Sequence, residues 1–236
     1  MEKYLFWAVF FVAYTMQAVT GFAGNIFAMP VGASTIGMST AISVLNITGF
    51  FCCGVVAVAN IKHVAWREFI RIIVVMIAFM LVGIWIDTLL SVDSLLKIFG
   101  VIVFAVGMQN IIMKKRPLLP EWALWVVLVL AGIVQGMFIS GGAFLVIYAL
   151  QKILDKEEFR ATLSLVWMVL NGLYAAIAIA GGGISAEATS IVAVCIPLGL
   201  VSVVLGQWIE RRISQEVFMK LTYWMLVGIG VVLIFR

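Results

Sequence analysis

Two glycine-rich interruptions carry the residues whose types and spacing could do chemistry in this sequence. The first is Thr20-Gly21-Phe22-Ala23-Gly24-Asn25, and the second is Gln135-Gly136-Met137-Phe138-Ile139-Ser140-Gly141-Gly142. Each breaks a long apolar run. Glycine permits the positive φ of a tight turn and a close approach of backbone to a ligand. A new helix is expected just after each break, near Asn25 and near Ala143. Its free N–H groups and the positive end of its dipole make an anion site without any charged side chain. Thr20, Asn25, Gln135 and Ser140 add hydroxyl and amide donors at the same depth. Glycines also serve close helix packing, but two matched breaks with polar neighbours favour binding.

Asn46 and Asn171 lie inside apolar runs, where an unpaired amide is costly. They are candidates either to coordinate the same guest or to cap the broken ends. Ser39 and Ser164, with Thr162, fall about two turns earlier and are candidates to line the same cavity. Arg160 is the cation nearest the second polar cluster, where it either draws anions inward or merely marks a loop. His63 is the single histidine. With no second histidine there is no zinc cluster, and neither a Ser/His/Asp constellation nor a phosphate-binding loop is present. No metal or cofactor is expected. Cys52, Cys53 and Cys195 sit in apolar runs without metal-ligand spacing and are read as packing residues. No charged residue falls at the middle of an expected span, which removes the usual proton-relay carboxylate.

The elements that must position these residues are membrane helices. The sequence is 65% hydrophobic and 11% charged, and its mean hydropathy is +1.22. A soluble domain carries roughly 25% charged residues. The apolar runs are long enough to cross a hydrocarbon core of about 30 Å, which takes about 20 helical residues. They lack the alternation of a barrel strand. The net charge of +4 therefore reflects basic residues flanking the spans, and nucleic acid is not an expected partner.

The chain reads as two copies of one unit, 1–118 and 119–236. Ser39 and Asn46 keep the spacing of Ser164 and Asn171. Gly83-Ile84-Trp85-Ile86-Asp87 matches Gly206-Gln207-Trp208-Ile209-Glu210, and Ser91, Asp93 and Lys97 match Ser214, Glu216 and Lys220. Each unit holds one broken segment (4–34 and 121–150) and three plainer spans. These are 38–60, 69–88 and 94–113, then 159–181, 187–209 and 216–235. If all eight segments cross, the basic residues divide eight against seven. If both broken segments return to the side they came from, twelve collect on one face and three on the other. The second distribution obeys the positive-inside rule. It places basic loops 61–71, 114–116, 152–160 and 211–220 in the cytoplasm. It also gives each repeat three crossings, so the second is inverted relative to the first.

At these residues the chain resembles the sulfite exporter TauE/SafE family of membrane permeases. The resemblance rests on Gly21-Phe22-Ala23-Gly24-Asn25 with Pro30, on Gly136-Met137-Phe138-Ile139-Ser140-Gly141-Gly142, and on Arg160-Ala161-Thr162 leading to Asn171. Ala23 and Asn25 stand where glycines are common in that family, and the second motif lacks its proline. The resemblance implies transport of small sulfur-containing anions, such as sulfite or organosulfonates, in a bacterial inner membrane. The resulting expectation is an all-α integral membrane protein that moves a small anion by alternating access around a midplane site at the two breaks. A passive anion channel is the nearer alternative and an intramembrane enzyme the more distant one. Expected partners are the anion and membrane lipid, with a second copy of the chain as a candidate.

Overall fold

Apolar stretches of leucine, isoleucine, valine, alanine and phenylalanine satisfy their backbone internally by coiling, and the computed structural model shows helix along them among the described residues. It describes residues 2–87, 101, 104–105, 108, 111–112, 119–138, 141–181 and 184–234. Among them are nine α-helices and no strand. They are α1 (Glu2–Thr20), α2 (Gly24–Thr35), α3 (Met38–Ala59), α4 (Trp66–Asp87), α5 (Glu121–Phe138), α6 (Gly142–Lys152), α7 (Lys156–Ala180), α8 (Ala186–Glu210) and α9 (Gln215–Ile234). One turn of 3-10 helix, Ile61–His63, joins α3 to α4. Five of these helices coincide with expected plain spans. The remaining expected span, 94–113, and the basic loop 114–116 lie almost wholly outside the described residues. By length and composition, α3, α7 and α8, with Trp66–Ile86 of α4, can each cross a membrane.

The helix ends are written in local chemistry. Gly21 has φ +88° and its N–H reaches the Gln17 carbonyl at 2.7 Å, a left-handed close of α1 that glycine adopts without strain. Asn60 ends α3 by turning its amide back onto the Val56 carbonyl at 2.7 Å. Ser185 caps α8, its hydroxyl accepting from the Ala188 N–H at 3.1 Å.

Both broken segments fold back as helical hairpins. In the first, three residues separate α1 from α2, and the two pack along each other. A Cβ on Gly32, near the end of α2, would stand 3.1 Å from the Phe6 ring near the start of α1. α2 therefore runs back along α1. At 12 residues it is roughly 18 Å long, too short to cross alone. In the second hairpin the open ends are tied. The Leu119 N–H donates to Gln151 Oε1 at 2.8 Å, and Lys152 pairs with Glu121.

The chain divides into two packed units, residues 1–73 with 157–212, and residues 74–156 with 213–236. Each draws on both halves of the sequence. In the first, α1 packs on α8, α2 and α3, and α3 packs on α8 and α2. The core there is Phe6, Phe10, Tyr14, Leu45, Cys52 and Cys195 with their neighbours. A Cβ on Gly206 of α8 would lie 2.7 Å from the Thr15 carbonyl oxygen and 2.5 Å from the Ala18 Cβ, so α8 touches α1 backbone to backbone. The second unit repeats the device. A Cβ on Gly83 of α4 would overlap the Ile133 carbonyl and come within 3.1 Å of the Gly136 Cα on α5. Large apolar side chains such as Phe51, Val55, Val201, Val204 and Trp208 face outward. Such faces are stable against lipid and would associate in water.

The hairpin geometry is checkable by cross-linking. In a chain with Cys52, Cys53 and Cys195 replaced by alanine, the pair Glu121→Cys and Lys152→Cys is expected to oxidise to an intramolecular disulfide in membranes. Mass spectrometry showing two free thiols after oxidation would mean that the arms do not return to one level.

Candidate functional site

The first break is held by a residue that lies before it. Gln17, on the last turn of α1, extends its amide across the turn. Its Oε1 accepts the Gly24 N–H at 2.6 Å, while its Nε2 donates to the Gly21 carbonyl at 3.2 Å and to Cys53 Sγ at 3.3 Å. Helix starts leave N–H groups without intrahelical partners, and Ala23, which precedes α2, offers no side-chain cap. Gln17 takes the first of these donors. Among the described residues no acceptor meets the Asn25 or Ile26 N–H. Thr20 is fully buried, but its hydroxyl donates back to the Met16 carbonyl at 2.7 Å.

Beside the break lies a buried polar wall. The Tyr14 hydroxyl shares its proton between Asn25 Oδ1 at 2.8 Å and the Leu45 carbonyl at 3.0 Å. Asn25 Nδ2 faces Asn171 Oδ1 at 3.5 Å, the long limit for a hydrogen bond. Asn171 occupies the space left by Gly49, where a Cβ would stand 2.5 Å from its Nδ2. Asn46 is 1% exposed. Its Nδ2 donates to the Ile42 carbonyl at 2.8 Å, and its Oδ1 has no partner among the described residues. Asn46, Gly49 and Cys53 follow one another at helical spacing on α3 and share a face. The first unit thus brings Gly21, Gly24, Asn25, Asn46 and Asn171 into one region, with Tyr14 and Gln17 between them.

Arg160 is expected in a loop, and here the structure differs. It lies on the first turns of α7 and is 4% exposed. Its backbone packs under the first break, where a Cβ on Gly21 would stand 3.2 Å from the Arg160 Cα. Its guanidinium meets Asn60 Oδ1 at 3.1 Å, Glu210 Oε2 at 3.3 Å and the Ala18 carbonyl at 3.4 Å. A cation fits there because α1 ends nearby, with the negative end of its dipole. Thr162 accepts the Ala65 N–H at 2.9 Å, fastening the turn before α4 to α7. Ser164 is buried on the same helix. Ser39 is exposed at the start of α3, apart from the buried group.

The second break uses the same cap. Gln135 Oε1 accepts the Gly141 N–H at 3.1 Å, so the amide expected as a donor acts here through its oxygen. A Cβ on Gly141 would overlap the Ala131 carbonyl, which places the start of α6 against α5. Gly142 begins α6 and is buried. Gly136 serves helix packing, its Cα lying against Gly83. Ser140 lies outside the described residues.

Gln17, Tyr14, Asn60 and Glu210 are the site residues that sequence reasoning passes over. Gln17 carried a signal: an amide one turn before Gly21 in an apolar helix is costly unless used. The spacing Thr15, Gln17, Ala18 also recurs as Ile133, Gln135, Gly136. Nothing in the sequence separates Tyr14 from the other aromatic residues of its apolar run. Among the described residues no group of three or more His, Cys, Asp or Glu side chains could hold a metal.

Comparison of the sequence with known proteins finds a family and a relative. The sequence pattern of the sulfite exporter TauE/SafE family matches residues 6–233. The "probable inner membrane transporter protein TsaS" of Comamonas testosteroni is 24% identical over 174 residues, covering 72% of this chain and 73% of the relative. No solved structure matches.

The caps can be tested by substitution. Gln17→Met and Gln135→Met keep side-chain volume but leave a buried N–H unpaired, a cost of about 1–3 kcal/mol. Each is expected to lower the unfolding temperature in detergent by several degrees. An unchanged midpoint for both would show that the amides do not hold the breaks.

Proposed function

Because the chain belongs to the sulfite exporter TauE/SafE family, we propose that it is a secondary permease for a small anion, sulfite or an organosulfonate before other organic anions. The observation that carries this reading is the paired cap. In each half an N–H at the start of a short helix donates to a glutamine oxygen: Gly24, the first residue of α2, to Gln17, and Gly141, the residue before α6, to Gln135. A sulfite or sulfonate group presents oxygens to the same donors and adds a full negative charge, which the helix dipole favours. Ionised acceptors form hydrogen bonds roughly twice as strong as neutral ones, so such an anion can displace the amide.

In this proposal Gly24 and Asn25 of one break, and Gly141 and Gly142 of the other, bind the anion through backbone N–H groups. Asn46 and Asn171 line the first site, where the unpartnered Asn46 oxygen suits the O–H of a protonated anion. Transport proceeds by alternating access around the two breaks. The two hairpins are re-entrant, the repeats 1–118 and 119–236 are inverted, and the basic loops face the cytoplasm. The tied ends at Glu121 and Lys152 support re-entry for the second hairpin, as does the Gly32–Phe6 contact for the first. The matched contacts of Gly206 and Gly83 on the two hairpin arms support the repeat. The name of the Comamonas relative supports an inner-membrane location. Family membership makes the protein a transporter, not an enzyme.

Counterflow in proteoliposomes tests the proposal. Preloaded sulfite should accelerate entry of labelled sulfite, with flux saturating as concentration rises. A channel would give neither behaviour. Gly24→Leu drives its side chain into Gln17, whose Cβ lies 3.0 Å from a Cβ at that position. Both Gly24→Leu and Gly142→Leu are expected to abolish counterflow while leaving membrane insertion intact. Wild-type rates in both variants would remove the site assignment.

A further inference from the structure

On the reading that this chain carries anions, we propose that Arg160 is a further anion-binding residue of the route and Glu210 its internal placeholder, a carboxylate that an oxyanion of the sulfite or sulfonate class displaces. The argument begins with how poorly the guanidinium is used. It has five N–H donors in a rigid fork that suits two oxygens of one anion. Glu210 engages it through a single oxygen at 3.3 Å. The other contacts, to Asn60 and Ala18, are neutral oxygens at 3.1 and 3.4 Å. The Nε donor is buried and has no partner among the described residues. A charge in a membrane protein's interior is expensive and normally sits in its best available geometry. Arg160 does not. A sulfonate or sulfite that met Nε and one Nη together would be a better partner than the present carboxylate.

Position agrees with chemistry. The Arg160 backbone packs against Gly21, and its side chain reaches Ala18, one turn before the break whose amides are the proposed anion donors. An anion leaving those amides would find the guanidinium nearby. Glu210 then restores neutrality once the anion has gone, so Arg160 is never left as a lone buried charge. The neutral donors at the break and this exchangeable cation would form consecutive stations.

The test measures affinity on purified protein by calorimetry, with sulfite and methanesulfonate as probes. Glu210→Gln removes the competing carboxylate and is expected to tighten the Kd at least tenfold. The double variant Arg160→Gln with Glu210→Gln buries no lone charge, and should bind at least tenfold more weakly than wild type. A pair that only staples the fold would lower the unfolding temperature of these variants and leave the Kd unchanged, which would overturn the proposal. So would absence of binding in every folded variant. Should Glu210→Gln fail to fold, the double variant decides alone. Wild-type counterflow is a separate readout. If it succeeds while the affinities stay fixed, only the ion-pair inference falls. If it fails while Glu210→Gln binds more tightly, the permease reading falls and the anion site stands.

Discussion

An amide N–H buried in the interior of a protein has no water to turn to, and each one left unpaired costs about 1–3 kcal/mol. Both hairpins are arranged around that cost. The chain breaks helical geometry at Gly21, and the freed Gly24 N–H must find an oxygen; Gln17 supplies it at 2.6 Å. For Gln17 to reach, α2 must fold back along α1. For α1 to stay in place, α8 must hold it, and it does so at the shortest range, with Gly206 on Thr15 and Ala18. Gln135, Gly141 and the Gly83 contact repeat the sequence of dependencies in the other unit. A larger residue at any of these glycines would move an arm, and a moved arm would uncap a break.

A cap of this kind is suited to exchange. A neutral amide acceptor contributes only about 1 kcal/mol net, whereas bonds to charged groups contribute about 1.5–3 kcal/mol. In the proposed permease the side chain is strong enough to hold the N–H while no guest is present, yet weak enough to give way to an anion. A carboxylate in the same position would hold the helix end more tightly and repel the guest. The polar wall beside the first break has the opposite task. Tyr14 ties Asn25 to the Leu45 carbonyl, and Asn171 fills the notch at Gly49. These groups do not need to move for an N–H to become available.

Helix positions were legible because hydropathy and length are strong signals in a bilayer. The spans on α3, α7 and α8 begin and end within a few residues of expectation, and the breaks fall where Gly21 and Gly141 stand. What escaped was the use made of individual polar atoms. Gln135 was counted as a donor because its type allows it, but the local N–H made it an acceptor. Gly136 looked like part of the break, yet its role follows from Gly83, more than fifty residues away in the chain and invisible to local pattern. Arg160 looked like a loop charge because it follows Asp155-Lys156-Glu157-Glu158. Its burial depends on Glu210 and Asn60, two residues that only the fold brings to it.

That last pair bears on why a protein with so few charges keeps two of them inside. Replacing a buried ion pair by apolar residues of similar volume is often neutral or stabilising, so stability alone gives little reason for Arg160 and Glu210. A staple would also be expected to use the guanidinium fully, with two parallel bonds to the carboxylate. The observed contact is single and long, and Nε is left over. Loose pairing is a weakness in a staple. In a carrier it is useful, since a cation held too well by its own protein could not receive an anion from outside. In the proposed permease the same logic governs both acceptors: the Gln17 amide oxygen at the break and the Glu210 carboxylate on Arg160 hold their donors just well enough to keep them buried, and no better than an anion would.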